Sequence, residues 1–167
     1  MREKISDPEK NYNTLKEKLE AVFPVVELAD YHFSKSANVK LADIVATNDS
    51  SAYYVVGKAM ECNKGNLLHV GGALGVVEDN SEDIGCIGIK TQLTRNGRVF
   101  SECHFGKKSD CPCQHLIWLI NQAVEHGWSI EPGQILLTGS LNEMEEGKPG
   151  KYEANFGLLG KVNFAIK

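Results

Sequence analysis

Several things are missing from this sequence, and each absence narrows what the chain can be. No apolar run approaches the length needed to cross a bilayer. The N-terminus, MREKISDPEKN, is charged and holds no hydrophobic core of a secretory signal. No basic run or aromatic-basic stripe offers a nucleic-acid surface, and the net charge of −4 opposes one. Internal repeats and linkers are absent. His69-Val70-Gly71-Gly72-Ala73-Leu74-Gly75 is rich in glycine, but it is neither a P-loop nor the GxGxxG turn of a dinucleotide fold, and a plain loop is the better reading. A chain with no membrane span, no leader and only five cysteines is expected to be cytoplasmic, with its thiols mostly reduced.

What remains is a 167-residue globular chain with 42% apolar and 24% charged residues, enough for one domain with a real core. Residues 1–10 are polar and expected to be loosely ordered; residues 11–167 are expected to form a single domain. Leu15, Leu19 and Val22 recur at helical spacing, predicting a short amphipathic helix between Asn11 and Val22. The apolar run Val22 to Val26, broken by Pro24, predicts a strand that delivers Glu27 at its end. Residues 31–49 read as a long polar loop, of the kind more often functional than idle. Ser50 to Lys58 then reads as a strand. Glu78 to Glu82 reads as an acidic surface turn.

Asn96-Gly97 between Cys86–Thr94 and Arg98–Cys103 is the strongest hairpin signal in the chain. Pro112 suits the first turn of a helix whose apolar face is Leu116, Leu119, Ile120, Ala123 and Val124, ending at Gly127. Ile135-Leu136-Leu137 predicts a fully apolar short strand running into Thr138-Gly139. The chain finishes with Tyr152 to Phe156, a Gly turn, and Lys161 to Ile166, a clean period-2 strand. Short strands with two helices make an α+β, mostly β domain.

Two constellations could bind metal. Glu27, Asp30, Asp43, Asn48 and Asp49 place oxygens at strand ends and in an Asx-rich turn, where a hard cation such as Mg²⁺ finds ligands. Asp30, Asp43 and Asn48 suit turn capping equally well. The second is Cys103, His104, Cys111, Cys113 and His115. It has enough soft ligands for Zn²⁺ but lacks the C-x2–4-C and H-x3–5-H spacings of known sites, so buried or half-buried thiols are the expectation.

The motifs in this order resemble the fumarylacetoacetate hydrolase superfamily, in the branch of 2-keto-4-pentenoate hydratase and 4-oxalocrotonate decarboxylase. Pro24-Val25-Val26-Glu27 matches that branch's P-x-[IL]-E strand, and Asp43 to Ser51 its D-T-[IV]-x-D-N-[AS]-S segment. Thr94-Arg95-Asn96-Gly97 matches T-x-N-G, and Pro112 to Leu119 the P-x5-W-L helix. Gly133 to Gly139 matches G-D-[IV]-[IL]-L-T-G, and Gly160 to Phe164 the terminal strand. The resemblance covers about residues 11–167.

It implies a β-roll of mainly antiparallel strands around a central helix (the fumarylacetoacetase C-terminal-like fold), commonly dimeric. It also implies Mg²⁺ or Mn²⁺ held by three carboxylates, chelating the 1-carboxylate and 2-oxo group of a 2-oxo acid. Glu27 falls on one metal carboxylate, Thr138 on a substrate-carboxylate contact with the Gly139 backbone beside it, and Asn48 in the D-N segment. Glu27 is therefore the candidate metal ligand, and Thr138, Gly139 and Asn48 are the candidate catalytic residues.

The family's other two metal ligands, an E-x-E pair, and an upstream Lys find no match, and Glu3, Asp7 and Glu9 do not take their roles. Thr47 and Gln134 stand where the family has Asp, Tyr31-His32 replace Ser-Arg, and Lys151 replaces an Asp. Lys107 to Cys111 replaces a Gly-rich stretch. The expectation is a hydratase/decarboxylase-type lyase for 2-oxo (2-hydroxydienoic) acids that is incomplete or inactive as an isolated chain. The alternative is a non-catalytic family member, a homodimer or a partner subunit of a lyase complex. An acylpyruvate hydrolase ranks lower, because neither His32 nor His104 holds the position of that class's Glu-His base.

Overall fold

In the computed structural model, the residues described are 1–30, 33–34, 38–62, 76–77, 85–86, 90–104, 112–140 and 143–167. Tyr31, His32, the Gly-rich stretch 69–75, the acidic turn 78–82 and residues 107–111 lie outside them.

The first helix, α1 (Tyr12–Lys18), is capped by Asn11, whose side chain accepts from the Thr14 N–H at 3.1 Å. Seven residues make too short a helix to persist alone. Packing holds it: Tyr12, Leu15 and Leu19 are buried with Ile5, Cys62, Ile130 and the Cys113 and Ile120 face of α3 (Pro112–Glu125). That helix ends as its sequence predicts. Gly127 takes φ 82°, its N–H donates to the Val124 carbonyl, and the Trp128 N–H reaches back to Ala123, a Schellman close.

The first ten residues correct the sequence-based expectation of loose order. Ile5 is 2% exposed and exchanges backbone hydrogen bonds with Ile130. Glu9, 4% exposed, pairs with Lys18, accepts from Thr14 Oγ1 at 3.0 Å, and has its backbone gripped on both polar groups by the Asn121 side chain. A charged sequence concealed one apolar anchor and one fully partnered carboxylate.

Every strand pair among the described residues is antiparallel. β1 (Ala21–Val22) pairs with β4 (Met60–Glu61), and β2 (Val25–Ala29) with β3 (Ser51–Val56). Pro24 and Gly57 separate the two ladders, joined by the Gly57 N–H donating to the Pro24 carbonyl at 2.8 Å. β5 (Val76–Val77) pairs with β6 (Gly85–Cys86). The largest sheet has four strands in the order β10-β9-β7-β8, from β7 (Lys90–Arg95), β8 (Arg98–His104), β9 (Gly150–Asn155) and β10 (Lys161–Ile166). Asn96 (φ 51°) and Gly97 (φ 77°) form the type I′ turn expected of Asn-Gly. Its Asn96 Oδ1 also accepts from the Lys151 N–H, which staples the turn to β9. Tyr152 stacks on its cross-strand neighbour Phe164 at 4.9 Å, and meets Phe100 edge-on.

Two further expectations change. The polar stretch 31–49 contains a short helix, α2 (Leu41–Ala46), started by Asp43 accepting the Lys40 N–H and ended by Thr47 Oγ1 donating to the Asp43 and Ile44 carbonyls. Ile135-Leu136-Leu137 forms no strand ladder, although Leu136 packs against the core as an apolar run should.

Gly57 is required by close approach. A Cβ there would lie 2.7 Å from Pro24 Cγ, 3.0 Å from Val162 Cγ2 and 3.2 Å from the Lys161 carbonyl. A proline ring and a backbone oxygen cannot swing aside, so Gly57→Ala should cost about 1–3 kcal/mol as overpacking does. Thermal unfolding should show a Tm several degrees lower. Adding Pro24→Ala should restore part of the loss.

Candidate functional site

The β2–β3 ribbon and the four-stranded sheet meet at Gly57 and leave between them a cleft of about 1420 Å³. Residues 19–30 line one side; Thr91–Leu93, Phe100, Ser101, Tyr152 and Phe164 line the other; residues 133–140 and 143–147 border it. Glu27 and the Thr138-Gly139 pair, distant in sequence, share this cleft.

Glu27 sits in the middle of β2 opposite Tyr54. Strand alternation half-buries Val26 and Leu28 and leaves Glu27 exposed. Thr138 is half-buried, and Gly139 follows at φ 93°. That left-handed conformation suits glycine, and no neighbour crowds it. Asn48 is elsewhere. It lies exposed on the 3₁₀ turn Asn48–Ser50 at φ 54°, and it is not among the described residues lining the cleft.

The cleft is acidic. Glu20, Glu27, Asp30, Glu61, Glu143, Glu145 and Glu146 line it, and the described cationic groups among its lining are Arg2 and the Met1 amine. Both of those are engaged by backbone carbonyls: Arg2 by Glu17 and Cys62, Met1 by Gln134. The Lys148 ammonium hydrogen-bonds Glu146 and holds its carboxyl below the usual carboxylate range, with a smaller pull from Arg95. The sequence pattern flagged Glu27 and Asp30 but not Glu143 to Glu146, which sit in a polar stretch without periodicity.

Among the described residues no three His, Cys, Asp or Glu side chains gather closely enough to hold a metal ion. Glu27 is one carboxylate where Mg²⁺ needs a near-octahedral oxygen set, so the described side chains do not complete a site for it. Glu9 is committed to Lys18, Thr14 and Asn121, and Asp43 to starting α2. Where the family has acids, Thr47 stops α2, Gln134 Oε1 accepts from the Glu131 N–H to close a turn, and the Lys151 backbone binds Asn96.

In the cysteine-histidine constellation, Cys113 is 2% exposed on the inner face of α3 and His115 is exposed on the same helix. Cys103 is half-buried on β8; Cys111 and the His104 side chain lie outside the described residues. Burial pushes the Cys113 thiol up to about 12 from an ordinary 9.0. The folded protein therefore holds this proton more tightly than the unfolded chain. The resulting stability is complete below pH 9.0 and is lost as pH rises through about 12. Urea titrations at rising pH should show that decline. Iodoacetamide followed by mass spectrometry should label Cys103 in the native protein, and Cys113 only after urea is added.

No protein-family model matches the chain. It is 26% identical over 145 residues to 2-keto-4-pentenoate hydratase 1 of Dechloromonas aromatica, covering 86% of this chain and 48% of that protein. It is 27% identical over 152 residues to 2-keto-4-pentenoate hydratase of Paraburkholderia xenovorans and to 2-keto-4-pentenoate hydratase 3 of Pseudomonas putida. These matches cover 89% of this chain and 50% of each protein. The chain thus spans about half the length of the curated relatives it matches. Its fold matches 4-oxalocrotonate decarboxylase from Pseudomonas putida G7 solved with magnesium and adipate, at TM-score 0.71 and 20% identity over 97% of this chain and 55% of that one. The same enzyme solved with calcium and acetate gives TM-score 0.70 over 97% and 54%. The expected antiparallel β-roll is the observed architecture. Among the described residues, no helix is long and apolar enough to cross a membrane.

Proposed function

We propose that this chain, with the fold of 4-oxalocrotonate decarboxylase and the sequence likeness of the 2-keto-4-pentenoate hydratases of the fumarylacetoacetate hydrolase superfamily, carries part of a lyase site for 2-oxo (2-hydroxydienoic) acids. The observation that carries the reading is the shared cleft: Glu27 on β2 and Thr138-Gly139 border one space, although more than a hundred residues separate them. Thr138 and the Gly139 backbone N–H are donors suited to a substrate carboxylate. Asn48, outside the cleft's described lining, supports the turn that follows α2 rather than the reacting end.

A 2-oxo acid gathers negative charge on its 2-oxygen as water adds to, or CO₂ leaves, its conjugated chain. Such charge needs a pre-positioned cation or donor set. The cleft's wealth of carboxylates opposes an anionic substrate, and its described cations are occupied. Mg²⁺ or Mn²⁺ would answer that need in this branch, but Glu27 alone does not hold it. The working site therefore draws further carboxylates from residues other than those described.

A second reading makes the chain a non-catalytic homodimer or partner subunit of a lyase. The incomplete carboxylate set favours it. So do Leu41, Val45, Tyr53 and Tyr54, large apolar side chains exposed on α2 and β3. Light scattering should then report a dimer, and Tyr54→Asp should shift it toward monomer.

Calorimetric titration of Mn²⁺ into the purified chain, with oxalate as a mimic of the enolate, tests the first reading. Expected is weak binding that disappears in Glu27→Ala, with no turnover of a 2-hydroxydienoic acid. Tight binding or turnover would remove the claim of incompleteness. Binding unchanged by Glu27→Ala would remove the role given to Glu27.

A further inference from the structure

The tip of the β7–β8 hairpin adjoins the acidic cleft at Phe100, which borders both spaces. A groove of about 500 Å³ opens there, lined by Arg95, Asn96, Arg98, Val99 and Phe100. Arg95 and Arg98 are direct cross-strand partners on either side of the Asn96-Gly97 turn. Residues so paired have Cβ atoms about 5 Å apart on one face, and like charges there are unfavourable. Folding alone gives no reason to place two guanidinium groups side by side.

Among the described residues no carboxylate lies within ion-pair distance of either arginine. The nearby Glu146, whose carboxyl feels Arg95, is claimed by Lys148 Nζ at 2.9 Å. Asn96 adds to the imbalance. Its Oδ1 is used by the Lys151 N–H, and among the described residues no acceptor meets its Nδ2 amide. Every polar side-chain group that this groove leaves open is thus a hydrogen-bond donor. Arg95 is also held in place. Its guanidinium carbon lies 5.9 Å from the centre of the Phe100 ring, and a Cβ on Gly150 would lie 3.0 Å from its Cγ. A pre-positioned planar fork is suited to bidentate contact with an oxyanion.

We propose that this groove binds an oxyanion, a phosphate or carboxylate group carried on a small apolar body. Arg95 and Arg98 form the paired donors, Asn96 Nδ2 a third, and Val99 and Phe100 contact the apolar part. The size suits a small metabolite. The site does not depend on the lyase reading, since none of its polar residues lines the acidic cleft.

The test is an NMR titration of ¹⁵N-labelled protein with phenyl phosphate, benzoate and inorganic phosphate, repeated for Arg98→Ala and Arg98→Lys. Arg98 is exposed at a hairpin tip, so both variants should fold, and their unperturbed spectra would show it. Saturable shifts confined to residues 95–100 and 148–151 are expected, weakened roughly tenfold or more in Arg98→Ala. Arg98→Lys should recover only part of the loss. Phenyl phosphate outbinding benzoate would assign the site to phosphate esters, and the reverse order to carboxylates. Equal affinity of Arg98→Ala and the parent protein, or no saturable shift with any of the three probes, would overturn the proposal.

Discussion

The close approach at Gly57 is the contact on which the arrangement of this protein rests. The Pro24 ring, the Val162 side chain and the Lys161 carbonyl all press on a position that has room for a hydrogen and no more. Pro24 interrupts the β1–β2 line and Gly57 the β3–β4 line, so the two breaks face each other. There the ribbon touches the edge strand β10 of the large sheet. Glu27 lies three residues beyond Pro24 along a strand, so the same contact fixes how far its carboxylate stands from the opposite wall. A widened Gly57 contact would tilt that wall and move Glu27 relative to Thr138.

The chemistry of the cleft follows from what its neighbours have already claimed. Three acids are engaged in local structure: Asp43 starts α2, Glu9 seals the seam between α1 and α3, and Glu146, in the cleft lining, is tied to Lys148. The residues standing where the family has other acids serve the backbone, Thr47 and Gln134 by ending a helix and closing a turn. The packing that brings Glu27 and Thr138 to one cleft is present, and beside it several acids and acid-replacing residues serve local structure.

The legible parts of the sequence were those where one local rule decides. Asn96-Gly97 dictated its hairpin, and Pro112 with Gly127 bracketed the long helix, because turn and cap preferences act over a few residues. The motif order carried the architecture as well. The order of the first ten residues is not legible in the sequence, because a single Ile5 among charges gives no periodicity and its burial depends on Ile130 far along the chain. Ile135 to Leu137 was read as a strand because an apolar run shows burial but not whether a ladder partner exists. Glu27 and Thr138 were recognisable as residues; that they face one cleft is a property of the Gly57 crossing, which no local pattern encodes. Asn48 shows the converse. Its motif was plain, yet its place on an exposed left-handed turn lies apart from the cleft's described lining.

The seam between the N-terminal segment and α3 has a consequence for the order in which the molecule assembles. The Glu9–Asn121 pairing spans 112 residues, and Ile5–Ile130 spans still more. Each closes a loop that includes β1 to β8, whereas the β7–β8 and β9–β10 hairpins close over a few residues. Loop closure of that length is slow and entropically costly until other contacts support it. The hairpins and α3 therefore form first, and the N-terminal segment with α1 docks as a late event. The reverse holds on unfolding: the seam is the first part to open, and Cys62 and Cys113, sealed beneath it, become reachable before the sheet itself gives way.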